Sequence, residues 1–432
     1  MERMTEQAPM RMQLLYNLIS ITGLVFYLPL LLLKKGPEKR RTFIKERLGI
    51  GDYHKTDIWV HAVSVGETLA SLPFLKKLKK DFPGKKITLT TTTYTGQKIA
   101  REKFPEADRI MYMPLDTVVC VKRVVNLLKP AIFITVETEL WPTLFQSLKE
   151  TGSRIIILNG RISNESFRGY RKIKFIMKDI LSNVDFFYMQ EKIYADRIIH
   201  LGADRHKVGV MGNFKFDINL EESVPLGWMN TIRGKILLAA STHKGEEEIV
   251  LDAYDSVRNK FRDIKLILAP RHPERFSEVE EILKNRRFKY VRRTEIQNPE
   301  PGTRNPDFTD FDIILLDTIG ELSRVFSKAA IAFIGGSLVP AGGHNILEPA
   351  YWSRPVICGP YMDNFPIAGE FLKMSAALEV KDSRDIAETV SALLEDNKKA
   401  AKMGQNARAI VDKNRGAVKK AIELIRGYIG TV

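Results

Sequence analysis

Two runs of short apolar segments, each segment separated from the next by a longer amphipathic stretch, constrain this chain more than any other feature. The first run comprises "DIWVHAV" (57–63), "KITLTT" (86–91), "AIFITV" (131–136), "RIIILN" (154–159) and "DFFYMQ" (185–190). The second comprises "KILLAAS" (235–241), "IKLILAP" (264–270), "DIILLD" (312–317), "AIAFIG" (330–335) and "RPVICG" (354–359). Strands apolar on both faces belong to parallel sheets covered by helices on either side. Stretches such as Thr68–Asp81 and Thr95–Lys103 carry the helical spacing that would cover them. The runs join near 212–232, so the sequence predicts an α/β protein with two Rossmann-like domains facing a central cleft. With 432 residues, 44% of them hydrophobic, the chain is long enough for two cores rather than one. "EIQNPEPGTRNPDFTDF" (295–311) reads as a proline-rich loop, and the tail from about Asp385 reads as helical.

Charge and cysteine usage narrow the partners. Cys120 and Cys358 stand far apart among apolar residues, which argues against a disulfide framework or a zinc site. The formal net charge of +15 favours an anionic partner: nucleic acid, anionic lipid or a phosphorylated substrate. The N-terminus points to lipid. Met12 to Leu33 is 22 residues without a charge, and about 20 apolar residues span a bilayer as a helix. No small-residue cleavage site follows it. Instead residues 34–47 carry seven Lys/Arg against Glu38 and Glu46, which places that flank on the cytoplasmic side, against anionic headgroups. The expected organisation is an anchor at 1–34, one domain at 35–215 and a second at 216–432, with the last helix a candidate to pack back on the first domain.

Chemistry should gather where strands end, because ligands of open α/β sheets bind outside the carboxyl ends of the strands. After the first strand, "HAVSVGETLAS" offers Ser64, Gly66 and Glu67 at a turn into a helix, where backbone N–H groups can hold an anion. It lacks the G-x-G-x-x-G spacing of a dinucleotide site. "VETELWPTLF" sets Glu137 and Glu139 two residues apart, suited to acid–base work, to orienting a hydroxyl, or to capping the helix near Pro142. Arg161 opens a basic and aromatic stretch that fits phosphates on a greasy carrier, or simply a solvated helix face. In the second half, Lys215 lies in "GNFKFD", Ser241 in "AASTHKGEE", Arg271 and His272 in "LAPRHPERF", and Glu321 in "DTIGELSRVF". Finally "FIGGSLVPAGGHNILEPA" brackets a loop with Gly335-Gly336 and Gly342-Gly343 before His344, Asn345 and Glu348. Glycines allow close approach of a phosphate to the backbone, and an Arg at a strand end can grip phosphate or carboxylate bidentately.

Taken together and in order, these motifs resemble the 3-deoxy-D-manno-octulosonic acid (Kdo) transferases of lipopolysaccharide synthesis, from the N-terminal anchor to about residue 370. The resemblance implies a GT-B fold, an N-terminal acceptor domain and a C-terminal domain for the donor CMP-Kdo, with no resident cofactor or metal. It implies an inverting transfer to a phosphorylated lipid A precursor (lipid IVA) at the cytoplasmic face of the inner membrane. "KERLGI" (45–50) is similar to the family's E-R-x-G segment, which makes Glu46 the expected general base, kept ionised by its basic setting. Donor binding then falls to Arg271, His272, Ser241, Glu321, the four loop glycines, His344, Asn345 and Glu348, with Lys215 as a further cation. Acceptor binding falls to Ser64, Gly66, Glu67, Glu137, Glu139 and Arg161. Two other readings compete: a GT-B enzyme using a different nucleotide sugar and lipid, and a tethered nucleic-acid-binding protein. The second finds no RNA-binding module or stacking motif in the chain.

Overall fold

The computed structural model describes residues 37–218, 226–296 and 311–429. The chain forms two compact units, one running up to Asp217 and resuming at Arg415, the other Ile218–Asn414.

Seven parallel strands make the first sheet: β1 (Ile58–His61), β2 (Ile87–Thr91), β3 (Arg109–Tyr112), β4 (Ile132–Val136), β5 (Arg154–Gly160), β6 (Phe186–Met189) and β7 (Val208–Val210). Their spatial order is β3-β2-β1-β4-β5-β6-β7. Ile58 is in register with Ile87 on one side and Ile132 on the other. Alternation along each strand feeds two cores. Trp59, Phe133 and Ile157 pack with Leu144, Phe145 and Leu148 of the helix Pro142–Glu150. Val60, Ile134 and Leu158 pack with Phe74, Leu75 and Leu78 of the helix Val65–Asp81, and with Ala421, Ile422 and Ile425 of the last helix, Ala417–Ile429. That last helix belongs to the first unit. Its N-terminal Gly416 and Val418 amides each donate 2.6 Å to the Asp217 carboxylate, an acceptor placed where the helix dipole favours negative charge.

The second sheet repeats the scheme with β8 (Ile236–Thr242), β9 (Lys265–Pro270), β10 (Tyr290–Arg292), β11 (Ile313–Leu315), β12 (Ile331–Ile334), β13 (Val356–Cys358) and β14 (Ala377–Glu379). Their order is β10-β11-β9-β8-β12-β13-β14, again all parallel. The ten strands expected from the apolar runs are present. The four that were not expected, β3, β7, β10 and β14, are the four sheet edges. Cys120 and Cys358 are buried and unpaired.

The apolar stretch 12–33 lies outside the described residues. Among the described residues no helix is long and apolar enough to cross a membrane. The basic flank is helical over Pro37–Arg47.

One close approach tests the packing of the second unit. A Cβ on Gly404, in the helix Asn397–Asn414, would stand 2.0 Å from the Ser353 carbonyl oxygen. Gly to Ala inside an exposed helix normally stabilises, by up to about 1 kcal/mol. Here Gly404→Ala is expected to destabilise by about 1–3 kcal/mol through overpacking, read as a lower urea midpoint; an unchanged or raised midpoint would contradict the packing.

Candidate active site

Glu46 closes the helix Pro37–Arg47 and is only 8% exposed. Its Oε2 accepts 2.8 Å from the Tyr112 amide at the end of edge strand β3. Phe43, one turn earlier, packs edge-on against the Tyr112 ring, and the Tyr53 hydroxyl donates to the Glu46 carbonyl oxygen. Two residues beyond Arg47 the chain must turn sharply: Gly49 has φ 69°, and a Cβ there would meet the Cys120 carbonyl at 2.8 Å. That is the physical content of the E-R-x-G pattern. Arg47 meanwhile ties the helix to the sheet, donating 3.0 Å to the Met113 carbonyl. The carboxyl lies in the wall of a recess of about 490 Å³, which Arg101, Asp108 and Arg109 also line. Burial pushes the Glu46 carboxyl above its ordinary value, against the pull of the Tyr112 amide, Arg109, Arg101 and Gln97. The expected dominance of the basic surroundings is therefore corrected: desolvation is the larger effect, and it moves the group in the direction a general base at neutral pH requires.

A second group of acids sits where the first sheet's strand order reverses, between β1 and β4. Ser64 caps the helix Val65–Asp81, and Glu67 folds back to accept from the Val63 amide (2.8 Å) and the Ser64 hydroxyl (3.1 Å). This is a reciprocal capping arrangement. Gly66 is exposed on the same turn. Glu137 follows β4 in the left-handed region at φ 61°, and its amide donates to Leu158. Burial first, then the charges of Glu137 and Glu139, lift Glu67 to about 7. Glu137 and Glu139 are raised by burial as well, with Lys215 and Arg161 opposing at Glu137. Arg161 is itself exposed, its amide donating to the Thr138 hydroxyl. Lys215, expected as a further cation for the donor, belongs to the first unit, as the expected boundary at 215 had it, and its charge lies beside Glu137.

The second sheet reverses between β8 and β12, and the segments following those strands meet there. After β8, His243 brings its Nε2 to 2.7 Å from the Nε2 of His344, which follows the glycine loop. His272, after β9, stands edge-on to His243 at 5.3 Å. Arg271 is exposed at the same place, anchored by its amide to the Thr242 carbonyl. Burial lowers His344 to about 4, with Arg271, His243 and His272 adding to the effect; His243 is lowered mainly by burial too. Asn345 donates 3.0 Å to Glu348, whose carboxyl burial raises while Arg271 opposes. Ser241, at φ 59°, is the penultimate residue of β8 and lies under Gly335, where a Cβ would collide with its carbonyl at 2.4 Å.

The glycine loop is held by a residue the motif reading did not single out. Glu246 is wholly buried, and its carboxylate accepts from His243 (2.9 Å), Gly336 (2.6 Å), Ser337 (3.0 Å) and Leu338 (2.9 Å) amides. The Gly335 amide goes to the Ala240 carbonyl and that of Gly343 to Gly336. The amides of Gly335, Gly336 and Gly343 are therefore committed within the protein, and the missing side chains allow the loop to pack closely. Gly342 and Gly343, both at positive φ, pack against Asn364 and Met362. Glu321 is held in place by Arg293 (2.9 Å) and the Thr318 hydroxyl. Arg275 of the same PRHPER stretch is a structural partner, forked onto the buried Glu247 at 2.7 and 3.2 Å. Among the described residues no three His, Cys, Asp or Glu side chains group so as to hold a metal ion.

Two parallel-sheet units of this kind make a GT-B-like fold. The fold is shared by UDP-GlcNAc 2-epimerase from Neisseria meningitidis bound to UDP-GlcNAc (TM-score 0.55, 14% identity, 85% of this chain and 99% of that one). Residues 42–218 match the family described as 3-deoxy-D-manno-octulosonic-acid transferase (kdotransferase). The 3-deoxy-D-manno-octulosonic acid transferase of Haemophilus influenzae is 35% identical over 380 residues, 86% of this chain and 87% of its own. That of Rickettsia typhi is 32% identical over 384 residues, covering 87% and 80%. The chain belongs to the Kdo transferase family and is a glycosyltransferase.

Two outcomes follow from the site's internal bonding. Glu246→Ala leaves four backbone amides without their acceptor and is expected to cost about 3 kcal/mol or more, visible as a lower melting temperature; a neutral result would contradict the anchoring role. For Glu67, the folded carboxyl near 7 exceeds the ordinary 4.5, so the folded state holds the proton longer. The stability this contributes is full below the lower value and is lost as pH rises through the higher one. Wild type should therefore lose ground to Glu67→Gln in urea midpoint between these two values; a constant difference would contradict the shift.

Proposed function

We propose that this family member transfers Kdo from CMP-Kdo to a hydroxyl of a phosphorylated lipid A precursor, inverting the anomeric carbon without a bound metal. The observation that carries the reading is Glu46: a carboxyl raised by burial, held by one backbone amide, in the wall of a recess with two arginines. In this role Glu46 takes the proton of the attacking hydroxyl, while Arg101 and Arg109 suit an acceptor that carries phosphate. The acid group at Glu67, Glu137 and Glu139 suits the hydroxyls of a sugar headgroup. On the donor side, Arg271 is the cation for phosphate or carboxylate, and Glu348 with Asn345 suits a ribose. Residues 12–33, with the basic flank after them, would hold the protein at the cytoplasmic face of the inner membrane.

The test is transfer from CMP-Kdo to tetra-acylated lipid A precursor, followed by mass of the product and release of CMP. Glu46→Gln should lower kcat by about 10²–10⁴-fold while CMP affinity is unchanged; near-normal transfer would remove Glu46 from the role. Because the base must be ionised, wild-type kcat/KM should fall as pH drops through a value above the ordinary carboxylate range, and this acid limb should vanish in the variant. Release of a different nucleotide from a different sugar donor would instead identify another specificity on the same fold.

A further inference from the structure

We propose that His243 and His344 act as one proton-carrying unit that protonates the phosphate leaving the donor. The inference rests on the second unit being the nucleotide-sugar site. Its starting point is the geometry of the two rings. Their planes differ by only 16°, with centroids 5.0 Å apart, yet the two Nε2 atoms are separated by 2.7 Å. A gap of 2.7 Å between the facing nitrogens leaves little more than the two ring radii to make up the centroid distance. The rings therefore lie edge to edge in nearly one plane, and the contact is an in-plane N–H···N hydrogen bond rather than face stacking.

Such a bond fixes the protonation pattern. One ring must present Nε2–H and the other its Nε2 lone pair, so both cannot be imidazolium. The protein's own surroundings favour the neutral form of both rings. Burial acts on each, and Arg271, His272 and Arg275, from the segment after β9, repel a further proton; Glu246 pulls the other way at His243. Glu246 already accepts four amides, so its carboxyl group is held in one place. An anionic phosphate brought in by Arg271 reverses the balance, because an opposite charge within reach favours the protonated ring. The extra proton then rests on an outer Nδ1 while the shared Nε2 bond spreads the charge over both rings.

The step balances. The bond between the anomeric carbon and the phosphate oxygen breaks, its electron pair stays on that oxygen, and an imidazolium proton moves to it. The acceptor oxygen bonds to the anomeric carbon and gives its proton to Glu46. Solvent then returns one proton to the histidine pair and removes one from Glu46.

A bracing role for the pair would affect stability alone, so the test counts protons. Calorimetric titration of CMP at about pH 8, above the ordinary His range, in two buffers of different ionisation heat should show uptake of about one proton per CMP bound. His243→Ala and His344→Gln, each checked for a cooperative melt, should still bind CMP with uptake near zero. Binding by wild type without uptake, or uptake retained in both variants, overturns the proposal. Inorganic phosphate is titrated in parallel: proton uptake with phosphate but no binding of CMP would sink the donor reading and leave the pair standing. In turnover, His344→Gln should lose about 10²–10⁴-fold in kcat, with little change in KM for CMP-Kdo. It should also lose the alkaline limb of the wild-type rate profile; an unchanged limb counts against the pair.

Discussion

The reversal of strand order beside the first strand of each sheet is the constraint on which the sites depend. At that point the loops after two neighbouring strands diverge to opposite faces and leave a space that no crossover helix fills. In the first unit the loops after β1 and β4 bring Glu67 together with Glu137 and Glu139. In the second, those after β8 and β12 bring His243 to His344. Residues 101 positions apart thus meet because the sheet is parallel and its order turns at one strand.

Both switch points are framed by carboxylates with opposite duties. Glu246 accepts from four amides, so its carboxyl group is a fixed support that shapes the glycine loop. Glu67 is poorly solvated and crowded by its own kind, so its charge is conditional. Glu46 stands apart from both, on a helix end seated against an edge strand, where one amide and two arginines partly offset its burial. Burial raises both Glu46 and Glu67, and at each of them one backbone amide pulls the other way.

What the sequence revealed follows the same physics. Ten central strands were legible because both faces are buried and their residues run continuously apolar. β3, β7, β10 and β14 were not, since an edge strand is half in solvent: the burial of β10 is intermediate throughout, and β7 ends exposed. Site residues at strand ends were legible for the same reason as the strands. Glu46 was visible only through family resemblance, because its amide partner lies 66 residues away on an edge strand. Glu246 read as one of three acids opening a helix, and nothing local in "HKGEEE" says which of them turns inward to meet amides 90 residues on. Tertiary hydrogen bonding, unlike strand burial, leaves no period in a sequence.

The clasp of Asp217 on the amides of Gly416 and Val418 carries a consequence for biosynthesis. The second unit is an insertion whose two ends meet at one carboxylate, so it is complete in the chain before the first. Until the helix Ala417–Ile429 leaves the ribosome, the face of the first sheet bearing Val60, Ile134 and Leu158 lacks the cover of Ala421, Ile422 and Ile425. The unit begun first is therefore completed only after the second has been made, and its apolar face stays open to wrong contacts in the interval.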